Sequence, residues 1–190
     1  MPGSGVWIFR ALVSVDIGLL LYAWFLPLWG LDIKLLRPDA VLVRPWGEKL
    51  FLGAYVEMFQ IPRVPAFFPA LMWTYLAICV VLLLASLVLP GIPISVGRFS
   101  LSLPQAIIGV VGLAHVVFVV VFPIILSFNL RQFKVEGVTT PLQGTVTLDF
   151  GSPYVTPVTS TLRLGYWLAW GAAIFLVALA LLRPIIIGGA

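Results

Sequence analysis

Two ionisable side chains lie in apolar surroundings and are the first candidates for chemistry. Asp16 lies in the apolar stretch 6–28, and His115 lies in the stretch 104–126. A carboxylate at the centre of a bilayer costs about 2.5–3.5 kcal/mol or more, so it must face other helices, find a partner or bind a proton. An imidazole at the same depth can supply that partner. The pair therefore indicates a proton relay or ion site, or, as the simpler interpretation, a structural hydrogen bond between two helices.

The scarcity of other reactive side chains excludes several kinds of chemistry. Cys79 is the only cysteine and His115 the only histidine in the chain. These counts exclude a disulfide or Cys-x-x-Cys redox site within the chain, bis-histidine haem ligation and histidine-rich metal sites. No catalytic, cofactor-binding or metal-binding motif is apparent, so we predict no cofactor and favour a protein that is not an enzyme.

Four long apolar stretches must position the candidate side chains Asp16 and His115. They cover residues 6–28, 67–89, 104–126 and 164–182, and each is long enough for an α-helix to cross a hydrocarbon core of about 30 Å. Hydrophobic residues make up 62% of the chain and charged residues only 9%. The sequence thus predicts an all-α membrane protein, a four-transmembrane-helix bundle forming one membrane domain over residues 1–190.

The loops between these stretches differ in length. With four spans, the long loops 29–66 and 127–163 share one side, and the short loop 90–103 shares the other side with both termini. Apolar and polar residues alternate within 31–35, 133–136 and 145–150, as in strands with one buried face, and residues 41–44 and 50–56 form strand-like apolar runs. We therefore expect the two long loops to form a small antiparallel β-sheet outside the membrane, with the Ser/Thr-rich stretch 156–161 as an exposed connector.

Charged residues suggest an orientation in the cell membrane. The side that holds the termini carries Arg10, Arg98 and Arg183 and no acidic residue. Because basic residues beside short connections favour the cytoplasm, we predict cytoplasmic termini and outside long loops. The formal net charge of +4 fits a lipid surface better than nucleic acid.

Aromatic and small residues complete the predicted bundle. Tryptophan favours the headgroup layer, which makes interfacial anchors of Trp24, Trp29, Trp73, Trp167 and Trp170. Small residues let helices approach closely in lipid, and they recur at Ala106, Gly109 and Gly112 and at Gly165, Ala169, Ala172 and Ala173. These positions predict packing faces on the third and fourth helices.

Two broader comparisons follow from the sequence. Asn129 is the only asparagine, and arginine outnumbers lysine, which fits a thermophile or a GC-rich genome. The layout is similar to that of the claudin-like four-helix proteins, with a long strand-bearing first loop, a short inner turn and a second outer loop. Their first loop carries a Trp…Gly-Leu-Trp…Cys…Cys pattern. Here Asp32 follows Trp29-Gly30-Leu31 and the loop cysteines are missing, so the resemblance covers topology (a claudin-like topology) and transfers no residue.

Three functions remain open. A non-catalytic accessory or structural subunit of a larger membrane assembly explains the sparse chemistry best, with the lipid bilayer and other membrane subunits, or further copies of the chain, as partners. A small proton-coupled transporter or ion-conducting factor would use Asp16 and His115. A quinone-associated redox subunit would take its cofactors from partners.

Overall fold

The computed structural model describes residues 4–34, 37–51, 65–96, 99–132, 134–135, 138–149 and 155–188. Four α-helices dominate it: α1 (Ser4–Phe25), α2 (Phe68–Val88), α3 (Leu103–Gln132) and α4 (Leu164–Gly188). All four are long and apolar enough to cross a membrane. The prediction of four long apolar helices is therefore confirmed.

Helix α1 is shorter at its end than the stretch 6–28 suggested, because the chain turns into a sheet there. It ends at Phe25, two residues before Pro27, whose ring disfavours a helical conformation in the residue before it. The Leu28 amide already donates a hydrogen bond to the Val43 carbonyl at 2.8 Å. Leu28 thus lies beside the sheet. The predicted helix was too long because apolar composition does not distinguish the end of a helix from an adjoining buried segment.

Helix α3 is longer than the stretch 104–126 predicted. Its 30 residues span roughly 45 Å, against about 30 Å for a hydrocarbon core. Leu130 is buried among residues of the β-sheet, and Phe122 and Leu126 pack against the same cluster. The additional turns exist because they supply one wall of the core of the sheet.

The start of α3 is fixed by its own sequence. Ser102 and Gln105 form a capping box: the Gln105 amide lies 3.4 Å from Ser102 Oγ, and the Ser102 amide lies 3.5 Å from Gln105 Oε1. These bonds satisfy amides that a helix leaves unpaired at its start. Gln105 Nε2 also donates to the Ala180 carbonyl of α4 at 2.8 Å, and Arg183 of α4 donates to Ser102 Oγ.

Nine short strands lie in the described parts of the loops. In chain order they are β1 (Trp29–Ile33), β2 (Arg37–Arg44), β3 (Gly47–Leu50), β4 (Pro93–Val96), β5 (Phe99–Ser102), β6 (Lys134–Val135), β7 (Val138–Thr139), β8 (Gly144–Asp149) and β9 (Val155–Leu162). Five of them form an antiparallel sheet in the order β3-β2-β1-β9-β8. Strands from both long loops therefore share one sheet, as predicted.

The remaining strands form two separate hairpins. Strand β4 pairs with β5 in the loop predicted to be short, and β6 pairs with β7. The hairpin β4–β5 has no counterpart in the sequence prediction. Of the strand-like run 50–56, Leu50 and Phe51 are described, and the rest lies outside the described residues.

The interpretation of residues 156–161 as an exposed connector is wrong. They belong to β9, which pairs with β1 on one side and β8 on the other. Thr156 and Ser160 are buried, and the Ser160 hydroxyl donates to the Pro141 carbonyl at 2.7 Å. Threonine and valine favour strands, and internal hydrogen bonds allow the hydroxyl groups to be buried.

The chain divides into two compact units. The first comprises Met1–Tyr22, Trp73–Phe118 and Leu168–Ala190, and the second comprises Ala23–Met72 and Val119–Trp167. In the first unit a Cβ added at Gly112 would lie 3.0 Å from Leu176 Cβ and 3.1 Å from the Val177 amide nitrogen. Small residues therefore bring α3 and α4 together here, as predicted. The second unit has a hydrophobic core that includes Trp29, Leu31, Val41 and Val158.

Candidate functional site

Asp16 lies on the buried face of α1. Phe9, Val13 and Leu20 are buried on the same face at helical spacing, and Asp16 itself is 0% exposed. Among the residues that the structure describes, neither of its carboxylate oxygens has a hydrogen-bond partner. A buried carboxylate without a partner is costly to stability, so Asp16 is a candidate for proton or ligand binding.

His115 is buried on α3 and pairs with a residue of α2. Its Nδ1 lies 3.1 Å from the Tyr75 hydroxyl oxygen, and the two rings are stacked with centroids 6.2 Å apart. Phe118 adds a third ring, whose centroid lies 5.6 Å from that of the imidazole. This arrangement joins α2 to α3 through a buried hydrogen bond.

Sequence reasoning missed the role of Tyr75. Asp16 and His115 form no hydrogen bond with each other, since both Asp16 oxygens lack a partner within the described part of the chain. The histidine instead pairs with Tyr75. A functional connection between Asp16 and His115 stays a prediction. The available signal was Tyr75 itself, a hydroxyl-bearing residue near the start of an apolar stretch.

A second polar group joins the sheet to the start of α4. Arg163 lies between β9 and α4, and its Nη2 atom lies 2.7 Å from Asp32 Oδ1 and 2.8 Å from Asp39 Oδ1. The Asp39 amide donates to Asp32 Oδ1 at 2.6 Å. We call these three residues the Arg163 cluster. Their side chains are 28–50% exposed, so solvent weakens each ion pair.

Two backbone features make the Arg163 cluster possible. A Cβ at Gly30 would lie 2.5 Å from Arg163 Nε, so the absence of a side chain there leaves room for the arginine to cross β1. Asp39 has a φ of 54°, a left-handed conformation that aspartate tolerates better than most residues. The hydrogen bond between the Asp39 amide and Asp32 holds this conformation in place.

The five predicted anchor tryptophans lie in different environments. Trp24 and Trp29 are buried, each 2% exposed, whereas Trp73 is 41% and Trp167 is 56% exposed. Trp170 is half-buried. Trp29 donates its indole N–H to the Leu142 carbonyl at 2.8 Å, and it belongs to the core of the sheet. The burial of Trp24 and Trp29 favours a role in packing the protein interior for these two residues. The role of the five tryptophans as interfacial anchors stays a prediction.

The described residues hold no group of three or more histidine, cysteine, aspartate or glutamate side chains that would bind a metal. Cys79 is buried and forms no disulfide. Comparison with protein families, with curated proteins and with solved structures finds no match to this chain. The candidate sites therefore rest on their own geometry.

Proposed function

We propose that the chain is an integral membrane protein and serves as a non-catalytic accessory subunit of a larger membrane assembly. In this proposal the four helices span the bilayer, and partner chains dock on the helices and on the five-stranded sheet. The observation that carries it is the sheet, which shares a hydrophobic core with the end of α3 and is joined to the start of α4 through Arg163. A rigid surface of this kind suits docking, because little conformational freedom is lost when a partner binds.

The outward faces of the helices support the same proposal. Large apolar side chains are exposed on all four helices, among them Val15, Leu71, Val110 and Leu181 at 56–70% exposure. In water such surfaces would aggregate, whereas lipid chains or partner helices cover them without cost. Both the membrane location and helix-to-helix docking therefore agree with the exposed surface.

Native mass spectrometry of a mild-detergent extract from the source membranes tests the proposal. The expected result is a defined set of partner chains in fixed ratio. The double variant Thr145→Arg, Thr147→Arg adds bulk and charge to exposed positions of edge strand β8 and should release partners bound there. Asn129→Arg, at an exposed position outside the sheet, is the matched control and should retain them. Recovery of the unaltered chain alone would contradict the proposal.

A proton-coupled transporter or ion-conducting factor is the second candidate, and Asp16 favours it. A fully buried carboxylate with no hydrogen-bond partner among the described residues can bind and release a proton or a cation where few other groups compete. His115, held by Tyr75, is the candidate for a second proton-carrying group, because it is a buried imidazole in another of the apolar stretches.

Proton flux into proteoliposomes under an imposed pH gradient tests this second function. Asp16→Asn removes the ionisable proton but keeps the size of the side chain, so flux should fall to the level of empty vesicles. Ser14→Ala is the matched control: Ser14 lies on the exposed face of α1, and its hydroxyl donates to the Arg10 carbonyl of the same helix. Equal flux through Asp16→Asn and the unaltered chain would rule out a coupling role for Asp16.

A further inference from the structure

The turn between β2 and β3 lies at the end of the sheet from which two of the helices depart. Trp29, at the start of β1, pairs with Val43 near the end of β2 and with Leu162 at the end of β9. The Leu28 amide donates to the Val43 carbonyl at 2.8 Å, and the Arg163 amide donates to the Leu28 carbonyl at 2.9 Å. The end of α1, the start of α4 and the turn are therefore neighbours.

This turn carries an arginine and a tryptophan in contact. The Arg44 guanidinium lies over the Trp46 ring, 5.3 Å from its centroid, and both side chains are half-buried. In the pairing of β2 with β3, Leu42 is opposite Lys49 and Val43 is opposite Glu48. Because side chains alternate along a strand, Arg44 and Lys49 share one face of the hairpin and Glu48 lies on the other.

We propose that the Arg44–Trp46 turn is a binding site for the phosphate of a phospholipid headgroup in the bilayer that the helices cross. This inference rests on the proposed membrane insertion. If α1 ends and α4 begins at the membrane surface, the turn beside them lies at the same level. Tryptophan favours that layer, and arginine pairs well with phosphate oxygens.

The position of the turn favours lipid over a partner chain. Strand β2 runs from Arg37 to Arg44, so its two ends are roughly 23 Å apart. At the far end the Arg37 guanidinium lies over the Phe51 ring, 4.5 Å from its centroid. The hairpin thus carries a similar arginine–aromatic pair at each end, and only the Arg44 pair is next to the ends of the helices. This separation of the two ends exceeds the Debye length of about 8–10 Å, so the Arg37 pair serves as an internal comparison for the Arg44 pair.

Lipid retention by the full-length chain tests the site. The chain is reconstituted in nanodiscs of phosphatidylcholine and phosphatidylglycerol in equal amounts, and the phospholipids that remain bound after release are counted by native mass spectrometry. Arg44→Gln should lower the affinity of one bound phosphatidylglycerol about fivefold, the effect expected for one basic residue at an anionic surface. Arg37→Gln should leave lipid retention unchanged, and Arg44→Lys should restore most of it.

Three results would overturn the inference: equal retention by Arg44→Gln and the unaltered chain, equal loss in Arg37→Gln, or protection of the turn by a co-purifying chain instead of lipid.

An alkaline carbonate wash distinguishes failure of the headgroup site from failure of the proposed membrane insertion. If the unaltered chain stays in washed membranes while Arg44→Gln keeps its lipid, only the headgroup site is wrong. If the wash releases the unaltered chain, membrane insertion itself is wrong.

Discussion

At the scale of single residues, the Arg163 cluster brings together groups that are far apart in the sequence. Arg163 is separated from Asp32 by 131 positions, yet its Nη2 atom lies within 2.7–2.8 Å of both Asp32 carboxylate oxygens. Each exposed ion pair contributes no more than about 1 kcal/mol. The geometric role of Arg163 matters more than this energy, because one guanidinium joins Asp32 of β1 and Asp39 of β2 to the start of α4.

Gly30→Ala should destabilise this arrangement, because the new Cβ would lie 2.5 Å from Arg163 Nε and push the guanidinium away from Asp32. We expect a loss of about 1 kcal/mol in the free energy of unfolding. Denaturant titration in detergent, followed by circular dichroism, measures it.

Arg163→Ala supplies the matched background for this variant. Once the arginine is gone, Gly30→Ala should cost much less, because residues in contact have non-additive effects. Equal costs in the two backgrounds would show that the Gly30 position does not act through Arg163.

Some of these residues could be found from the sequence and others could not. Asp16 could, because a carboxylate within an apolar stretch is rare enough to be noticed wherever its helix points. The partner of His115 could not, because the contact with Tyr75 depends on how α2 and α3 are rotated and staggered. The contacts of the Arg163 cluster could not be predicted either, because each of its residues resembles an ordinary charged loop residue.

At the scale of elements, the start of α4 packs closely against the residues that follow α1. A Cβ at Gly165 would lie 2.6 Å from the Pro27 carbonyl oxygen and 2.9 Å from Leu26 Cβ. Backbone atoms cannot move aside as a side chain can. Glycine is therefore required at this position by packing.

Two glycine substitutions on α4 test this requirement. Gly165→Ala should lower the free energy of unfolding by about 1–3 kcal/mol, the usual cost of overpacking. Gly171→Ala is the matched control, since a Cβ there meets nothing within 4 Å and alanine is the better helix former by about 1 kcal/mol. Thermal unfolding in detergent compares the two. A Gly165→Ala variant as stable as Gly171→Ala would contradict the close packing.

The existence of the helices was predictable, but their ends were not. An apolar run of sufficient length identifies a helix regardless of its neighbours. The end of α1 depends on the bond between Leu28 and Val43, and the extension of α3 depends on the burial of Leu130 in the sheet. Strand β9 was missed because Ser/Thr-rich composition is shared by connectors and by strands, and only its pairing distinguishes them.

At the scale of the whole molecule, the proposed topology places the sheet outside the cell and the termini in the cytoplasm. Cysteine labelling in a Cys79→Ala background tests this arrangement. Thr145→Cys, on an exposed position of β8, should react with a membrane-impermeant maleimide in intact cells. Ser4→Cys, exposed at the start of α1, should react only after lysis. The reverse pattern would invert the orientation.

The pairing of segments from both long loops within one sheet was predictable, because two long helices lie between these loops and return the chain to the same end of a helix bundle. The strand order was not, since alternation shows which face is buried and says nothing about which neighbour a strand takes. The central pairing of β1 with β9 joins residues near the two ends of the chain.

The pairing of β1 with β9 also means that β1 is synthesised well before its neighbour in the sheet. Strand β1 leaves the ribosome with the first helix, yet its β9 neighbour is made about 130 residues later, a wait of roughly 6–26 s at about 5–20 residues per second. Throughout this interval one edge of β1 is without its native neighbour while two further helices are made. An unpaired strand edge is a template for pairing with other strands, so β1 is open to wrong pairings until β9 is made.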